Sequence, residues 1–417
     1  MSTCKKSEES RMQLKHIIIR RTASDAEDAG RRGSITRGPS VGVSATERSV
    51  RQKQPAPSVK VYVDAISPRR AALLAREESV VAVALAMPMK LIEPVAVAAD
   101  EDPLTEGSTW GIKAVKADVS PFTGDGVTIA VLDTGIDEKH TAFAGVSLVT
   151  RNFTDDADED THGHGTHCAG TILGRNVDGV RIGVARGVNK ALIGKVLAKK
   201  GGGSDVLARA IQWAFDNGAN VISMSLGIDF PGLVADLQDE GYPRELATSV
   251  ALDGYRKNIL LFESLARLAS TRGAFEPPCL IVAAAGNESR RDEDANFEIA
   301  VSPPAVSEGV VSVAALGRGA NGFVVAPFSN VGARLAGPGV GVLSARLGGG
   351  LTPKSGTSMA APHVAGVAAL WAEKLMNSRQ FTTPLFTTRL LGSATQDALA
   401  KDIDPEDVGA GMAMAPA

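Results

Sequence analysis

Three segments carry side chains suited to nucleophilic chemistry. VTIAVLDTGID ends a continuous apolar run with Asp133. DTHGHGTHCAGTI, residues 160–172, holds His162, His164 and His167. KSGTSMAAPHVAGVAALW, residues 354–371, sets Gly356, Thr357 and Ser358 before a long run of small apolar residues. Together they offer a carboxylate, an imidazole and a hydroxyl, in the order Asp133, His164, Ser358. A serine hydroxyl is a poor nucleophile until a histidine takes its proton. A carboxylate orients that histidine and stabilises its charged form. At the start of a helix, Ser358 would also lie where outward-facing N–H groups favour developing negative charge.

Taken singly, each residue has a plainer reading. A strand-end Asp can cap the next turn, a His can pack at a helix start, and Ser is a favoured N-cap. Pro362 and Gly366 tip the third segment toward a buried helix aimed at a site. The chain order excludes the Ser–acid–His arrangement built on G-x-S-x-G, since the run here is G-T-S-M-A and the only later histidine is His363. A metal reading competes for the second segment, because H-x-H-x-x-H resembles the ligand run of metallo-β-lactamase-like hydrolases. Thr166 stands where that family has Asp, and only His363 remains as a downstream ligand, whereas a catalytic site needs three supported protein ligands.

Elements able to position these groups are visible. Val127–Leu132, Ala191–Leu197, Val221–Leu226, Leu280–Ala285 and Val310–Ala315 are uninterrupted apolar runs, separated by helical stretches such as Asp205–Asp216 and Met359–Leu375. That alternation predicts a mostly parallel sheet covered by helices on both faces, with ligands beyond the carboxyl ends of the strands. Upstream, the strand-like runs His16–Arg20, Val59–Val63 and Val80–Leu85 and a helical pattern over Ser67–Glu78 predict a small α/β unit ending near Pro94. Residues 24–57 are rich in Ser, Arg, Gly and Pro and read as a basic, solvated linker.

With 417 residues and 44% hydrophobic content, a sizeable core is expected and global disorder is excluded. A net charge of -3 argues against a chain built to coat nucleic acid or an acidic membrane. Three cysteines, Cys4, Cys168 and Cys279, make no disulfide framework. The opening residues lack the apolar stretch of a signal peptide, and no run approaches a membrane span. The expected setting is cytoplasmic by default, with non-classical export as the alternative.

AVLDTGID, GHGTHCAGT and SGTSMAAPHVAG are close to the signatures of the subtilisin-like serine peptidases, and the chain resembles that subtilase family in all three, in the family's Asp–His–Ser order. The resemblance implies a subtilisin-like α/β fold and a serine endopeptidase made as a self-processing zymogen. It puts the acid on Asp133, the base on His164 and the nucleophile on Ser358, with no cofactor required for the chemistry. His162 and His167 become bystanders. Asn287, ending an apolar strand in A-A-G-N, falls on the oxyanion donor. Gly201, Gly202, Gly203 and Ser225, Leu226, Gly227 fall on the two strands that clamp an extended peptide. Cys168 resembles the buried cysteine of the proteinase K-like branch, an inert thiol.

The resemblance also implies partners. Residues 11–94 look like a propeptide that folds and inhibits the enzyme, after a tail at 1–10. A connector at 95–107 would carry the processing region, and 108–417 the peptidase, with an insertion at about 228–278. The other partners are protein or peptide substrates; neither nucleic acid nor a membrane span is expected. Asp155, Asp156, Asp158 and Asp160 offer hard oxygen ligands and resemble a calcium loop of thermitase-like members, so structural calcium is an expectation there; a solvated acidic loop is the alternative. A catalytically silent module that clamps extended peptides is the rival from another class.

Overall fold

The computed structural model describes residues 14–22, 59–96, 107–271 and 277–417. The tail (1–10), the basic linker (24–57) and most of the connector (95–107) fall outside them. The first described elements are β1 (Leu14–Arg21), β2 (Val59–Ile66), α1 (Pro68–Leu74), β3 (Val80–Leu85) and β4 (Pro88–Leu91). β1 is the central strand of an antiparallel sheet ordered β2-β1-β3. Its three isoleucines divide by the pleat. Ile18 packs beneath α1 with Ile66, Ala71 and Leu74, while Ile17 and Ile19 point the other way, into the core of the larger unit. Ser67 caps α1 by accepting from the Arg70 N–H at 3.3 Å, and Pro68 sits where its missing N–H costs nothing. The helix is shorter than its sequence pattern suggests, because Arg76 and Glu77 turn back to the carbonyls of Leu73 and Leu74 and lead into β3.

The larger unit runs β5 (Gly107–Ser108), α2 (Trp110–Ala114), β6 (Thr128–Asp133), β7 (Ser147–Asn152), α3 (His164–Leu173), β8 (Val180–Arg181) and β9 (Lys190–Lys195). Next come β10 (Gly202–Gly203), α4 (Ser204–Asp216), β11 (Val221–Met224), β12 (Leu226–Ile228), α5 (Phe230–Asp239), α6 (Arg244–Thr271) and β13 (Leu280–Ala284). The chain closes with β14 (Val310–Gly319), β15 (Gly322–Val325), β16 (Leu335–Pro338), β17 (Val342–Ala345), β18 (Leu351–Lys354), α7 (Thr357–Asn377), α8 (Thr383–Gly392) and α9 (Pro405–Val408).

The main sheet is ordered β15-β14-β13-β11-β6-β9-β7, with β16 also on β14, and every pair except β14–β15 is parallel. Buried on both faces, β6 feeds two cores. Ile129 and Val131 join a layer with α3 and α7, and Ala130 and Leu132 join one with α4 and α6. The expected strand through Leu197 ends two residues earlier, at Lys195. There the Val196 and Leu197 N–H groups both turn to the Asp133 carbonyl, at 2.8 and 3.3 Å. The carboxyl ends of β6, β11 and β13 thus open at one edge, where α3 and α7 begin. No helix among the described residues is long and apolar enough to cross a membrane.

Candidate active site

Asp133 is the last residue of β6, His164 the first of α3 and Ser358 the second of α7. Gly163 precedes the histidine with φ of 80°, which lets the loop enter α3 sharply. His164 Nδ1 lies 2.9 Å from Asp133 Oδ1 and 3.1 Å from Oδ2, and both side chains are buried. Burial alone would lower the imidazole's affinity for a proton. The Asp133 carboxylate outweighs it, with help from Cys168, and holds the pKa well above the ordinary histidine value. Cys168, one turn along α3, brings its Sγ to 3.7 Å from His164 Nδ1 and 3.3 Å from the Ser358 carbonyl. Burial pushes this thiol up, away from the reactive thiolate.

Ser358 does not bond His164. Its Oγ donates to the Ile92 carbonyl at 2.7 Å, and His164 Nε2 is buried without a hydrogen-bond partner. The reason is that the segment following the small N-terminal sheet fills the cleft. β4 lies antiparallel between β10 and β12 as the middle strand of three. Met89 faces Gly202 and Pro88 faces Gly203, while Leu91, Lys90 and Met89 face Leu226, Gly227 and Ile228. Beyond the ladder, Ile92 donates to the Ser225 carbonyl at 3.3 Å and Val95 to the Ser355 carbonyl at 2.8 Å. Gly201, with φ of 88°, forms the turn rather than the ladder, and a Cβ there would stand 2.6 Å from the Met89 carbonyl. The sequence names these strand residues; it does not reveal how β4 is registered against them.

Asn287 sits just past β13. Its Oδ1 accepts from the Thr357 N–H and hydroxyl, both at 2.8 Å, which turns Nδ2 into the cleft. Nδ2 donates to the Glu93 carbonyl at 2.8 Å. Thr357 is therefore a supporting residue that motif reading passes over; its place beside Ser358 is the signal. Asp160 is another. Its Oδ1 accepts from the Thr134 hydroxyl and the His162 and Gly163 N–H groups, and its Oδ2 from the Thr166 N–H and hydroxyl. These bonds outweigh the burial that opposes them and hold Asp160 below the usual carboxylate range. They tie the residue after Asp133 to the start of the helix bearing His164.

The three histidines of the second segment do not converge. His162 is half-exposed, 3.6 Å from the Glu93 carboxylate. His167 turns away, its Nε2 3.0 and 3.1 Å from the Val342 and Thr352 carbonyls, and burial lowers it to about 3. Burial likewise lowers His363 to about 4. Among the described residues, the one group of three or more His, Cys, Asp and Glu ligand atoms within 4.8 Å of one another is Asp133, His164 and Cys168. Neither the H-x-H-x-x-H run nor the acids Asp155, Asp156, Asp158 and Asp160 gather into such a group.

The sequence profile of the Subtilase family matches residues 124–411. The curated Subtilisin-like protease 6 of Trichophyton verrucosum is 35% identical over 255 residues, 60% of this chain and 52% of its own length. The chain thus spans about half the length of such fungal relatives. Subtilisin DY of Bacillus licheniformis is 34% identical over 272 residues, covering 64% of this chain and 84% of that protein. Among solved structures, fervidolysin from Fervidobacterium pennivorans, a keratinolytic enzyme related to subtilisin, shares the fold with a TM-score of 0.61 at 22% identity, over 96% of this chain and 60% of that one. With a histidine–carboxylate pair, a helix-start serine and a strand clamp at the sheet's carboxyl edge, and with the profile match across most of its length, the chain belongs to the subtilase family.

Proposed function

We propose that the chain is a serine endopeptidase made as a precursor, and that its first substrate is its own residues 88–95. The carrying observation is the Ile92 carbonyl resting on the Ser358 hydroxyl while the surrounding backbone is paired on both sides. A peptide so held has its reacting groups oriented in advance.

In the reaction, Ser358 Oγ forms a bond to the substrate carbonyl carbon as His164 Nε2 takes its proton. The buried Asp133 carboxylate stabilises the resulting imidazolium. The negative oxygen is received by Asn287 Nδ2 and the Ser358 N–H. His164 then gives the proton to the departing amine as the C–N bond breaks, and water releases the acyl group by the same steps. The missing Ser358–His164 hydrogen bond does not oppose this, since such bonds are often loose before the reacting complex forms.

The register favours the Ile92–Glu93 bond. Ile92 meets both Ser225 and Ser358, whereas a cut after Glu93 would require Pro94 as the leaving group. Asn287 holds the neighbouring Glu93 carbonyl, one peptide out of the productive register, so its amide must pass to Ile92 as attack begins. This cut lies just upstream of the connector at 95–107, where the sequence reading expects processing.

Mass mapping of the purified chain, with and without Ser358→Ala, tests the reading. A new N-terminus at Glu93 in the parent and an intact Ser358→Ala chain are expected. A fluorophosphonate should label the parent alone. An intact, unlabelled parent that still binds extended peptides would leave the silent clamp as the better reading. Cutting of Ser358→Ala at that bond, with no other protease present, would assign the cleavage elsewhere.

A further inference from the structure

Asp155, Asp156, Asp158 and Asp160 resemble a calcium loop, yet much of that donor set is already spent inside the chain. Asp160 spends both oxygens on five donors of its own chain. Asp158 Oδ1 accepts from Asn152 Nδ2 at 3.0 Å, and Asp156 Oδ1 from the Ala157 N–H at 2.9 Å. A calcium loop also uses backbone carbonyls. Here the Ala157 and Glu159 carbonyls are taken by Lys195 Nζ, at 2.5 and 2.8 Å. Asp156 also lies in the positive field of Lys195 and Lys199, with the Lys199 N–H turned toward its carboxylate.

Lys195 is an unusual place for a charge. It is 3% exposed and ends β9, in register with Asp133 on the adjoining β6. A buried ammonium is costly unless its donors are satisfied and opposite charge is near. The acidic segment supplies both. From there the bonds run on without a gap: Glu159 leads to Asp160, and Asp160 holds Thr134 and the entrance to α3, where His164 begins.

We propose that Lys195 is the resident cation of segment 155–160, standing where a metal would otherwise bind, and that through this segment it is a positioning residue for His164. The positioning half rests on the catalytic reading above; the cation half does not. Thermal melting of the full chain carrying Ser358→Ala, which avoids self-digestion, tests the cation half. Melting should be the same in millimolar calcium as in chelator. Adding Lys195→Met should lower the midpoint by roughly 5–10 °C, calcium should restore part of the loss, and Lys195→Arg should lose less. Should Lys195→Met fail to fold, Asp156→Asn/Asp158→Asn decides the matter. A calcium-dependent rise in midpoint that this double variant abolishes would overturn the proposal. A chain insensitive to calcium both with and without those substitutions upholds it. In the active chain, Lys195→Met should lower kcat about tenfold with little change in KM, and Lys195→Arg should recover most of it. An unchanged kcat, or a loss confined to KM, would overturn the positioning half.

Discussion

The N-terminal unit touches the rest of the molecule in two chemically different ways. In the cleft, β4 is held by a backbone ladder to two short glycine-bearing strands, with Met89 and the following Ile92 buried beside it and Lys90 3.4 Å from the Glu288 carboxylate. On the neighbouring helices the contact is made by particular side chains. Gln212 of α4 accepts from the Val61 N–H at 2.8 Å and donates to the Val59 carbonyl at 2.9 Å, capping the edge of β2. Asn258 of α6, fully buried, donates to the Leu85 carbonyl at 2.8 Å. Lys15 meets the buried Asp205 carboxylate at 2.7 Å, and Gly254 leaves room for Leu85 and Met87. The cleft contact is built around a main-chain ladder, and the helix contact around particular polar side chains. The side chains that recognise the N-terminal unit most selectively thus lie away from the Ile92 carbonyl in the cleft.

The largest test breaks the cleft alone. Ser358→Ala and His164→Ala should each lower peptide hydrolysis by roughly 10⁴-fold or more, while His162→Ala and His167→Ala cost far less, with docking of the N-terminal unit intact in the Ser358 variant. Steady-state rates on a peptide substrate decide this; a comparable loss from His162→Ala would move the base. Next, Asn287→Ala should lower kcat by about 10²–10³ with little change in KM, as removal of this donor does in a subtilisin. A matching rise in KM at constant kcat would place Asn287 in ground-state binding.

Two smaller effects probe the helices. Gln212→Ala or Asn258→Leu should speed release of the cut N-terminal segment by about tenfold, each having lost hydrogen bonds to it. kcat/KM for a short peptide should not move, and if it falls in parallel the two regions are not separable. Finally, acid should loosen the helix contact. Burial, and after it the nearby Lys257 on α6, lowers His16, whose Nδ1 bond to the Leu14 carbonyl opposes the shift only in part. The docked form therefore disfavours the proton. The docking contribution of a neutral His16 is present above its ordinary pKa and is lost as pH falls from there through the lowered value. Release measured against pH should steepen below about 6.5, the ordinary histidine value, and His16→Gln should flatten it; an unchanged slope rules His16 out.

What could be read from the sequence was whatever motif and periodicity encode locally. Asp133, His164 and Ser358 stand at ends of apolar runs that become β6, α3 and α7, because a buried parallel strand must be apolar until it leaves the sheet. Settings decided by distant partners were not legible. Nothing around Ile92 says which carbonyl will face Ser358, since antiparallel register depends on both edges at once. Strand β9 stops at Lys195 because of an acceptor on another strand. Asp160 reads as one more member of an acidic run until Thr134 and Thr166 are brought to it.

The short strands flanking β4 have a further consequence. While β4 is in place, β10 and β12 each have a partner. Were β4 to leave, both would become open edges facing one another, the kind of surface on which separate chains pair and aggregate. These edges are two and three residues long and carry glycine. They suffice to grip one peptide inside a cleft, yet they are too short and too weakly β-forming to seed a sheet between molecules. Two edges this short, if emptied, would offer a single peptide a grip without offering a second molecule a sheet to extend.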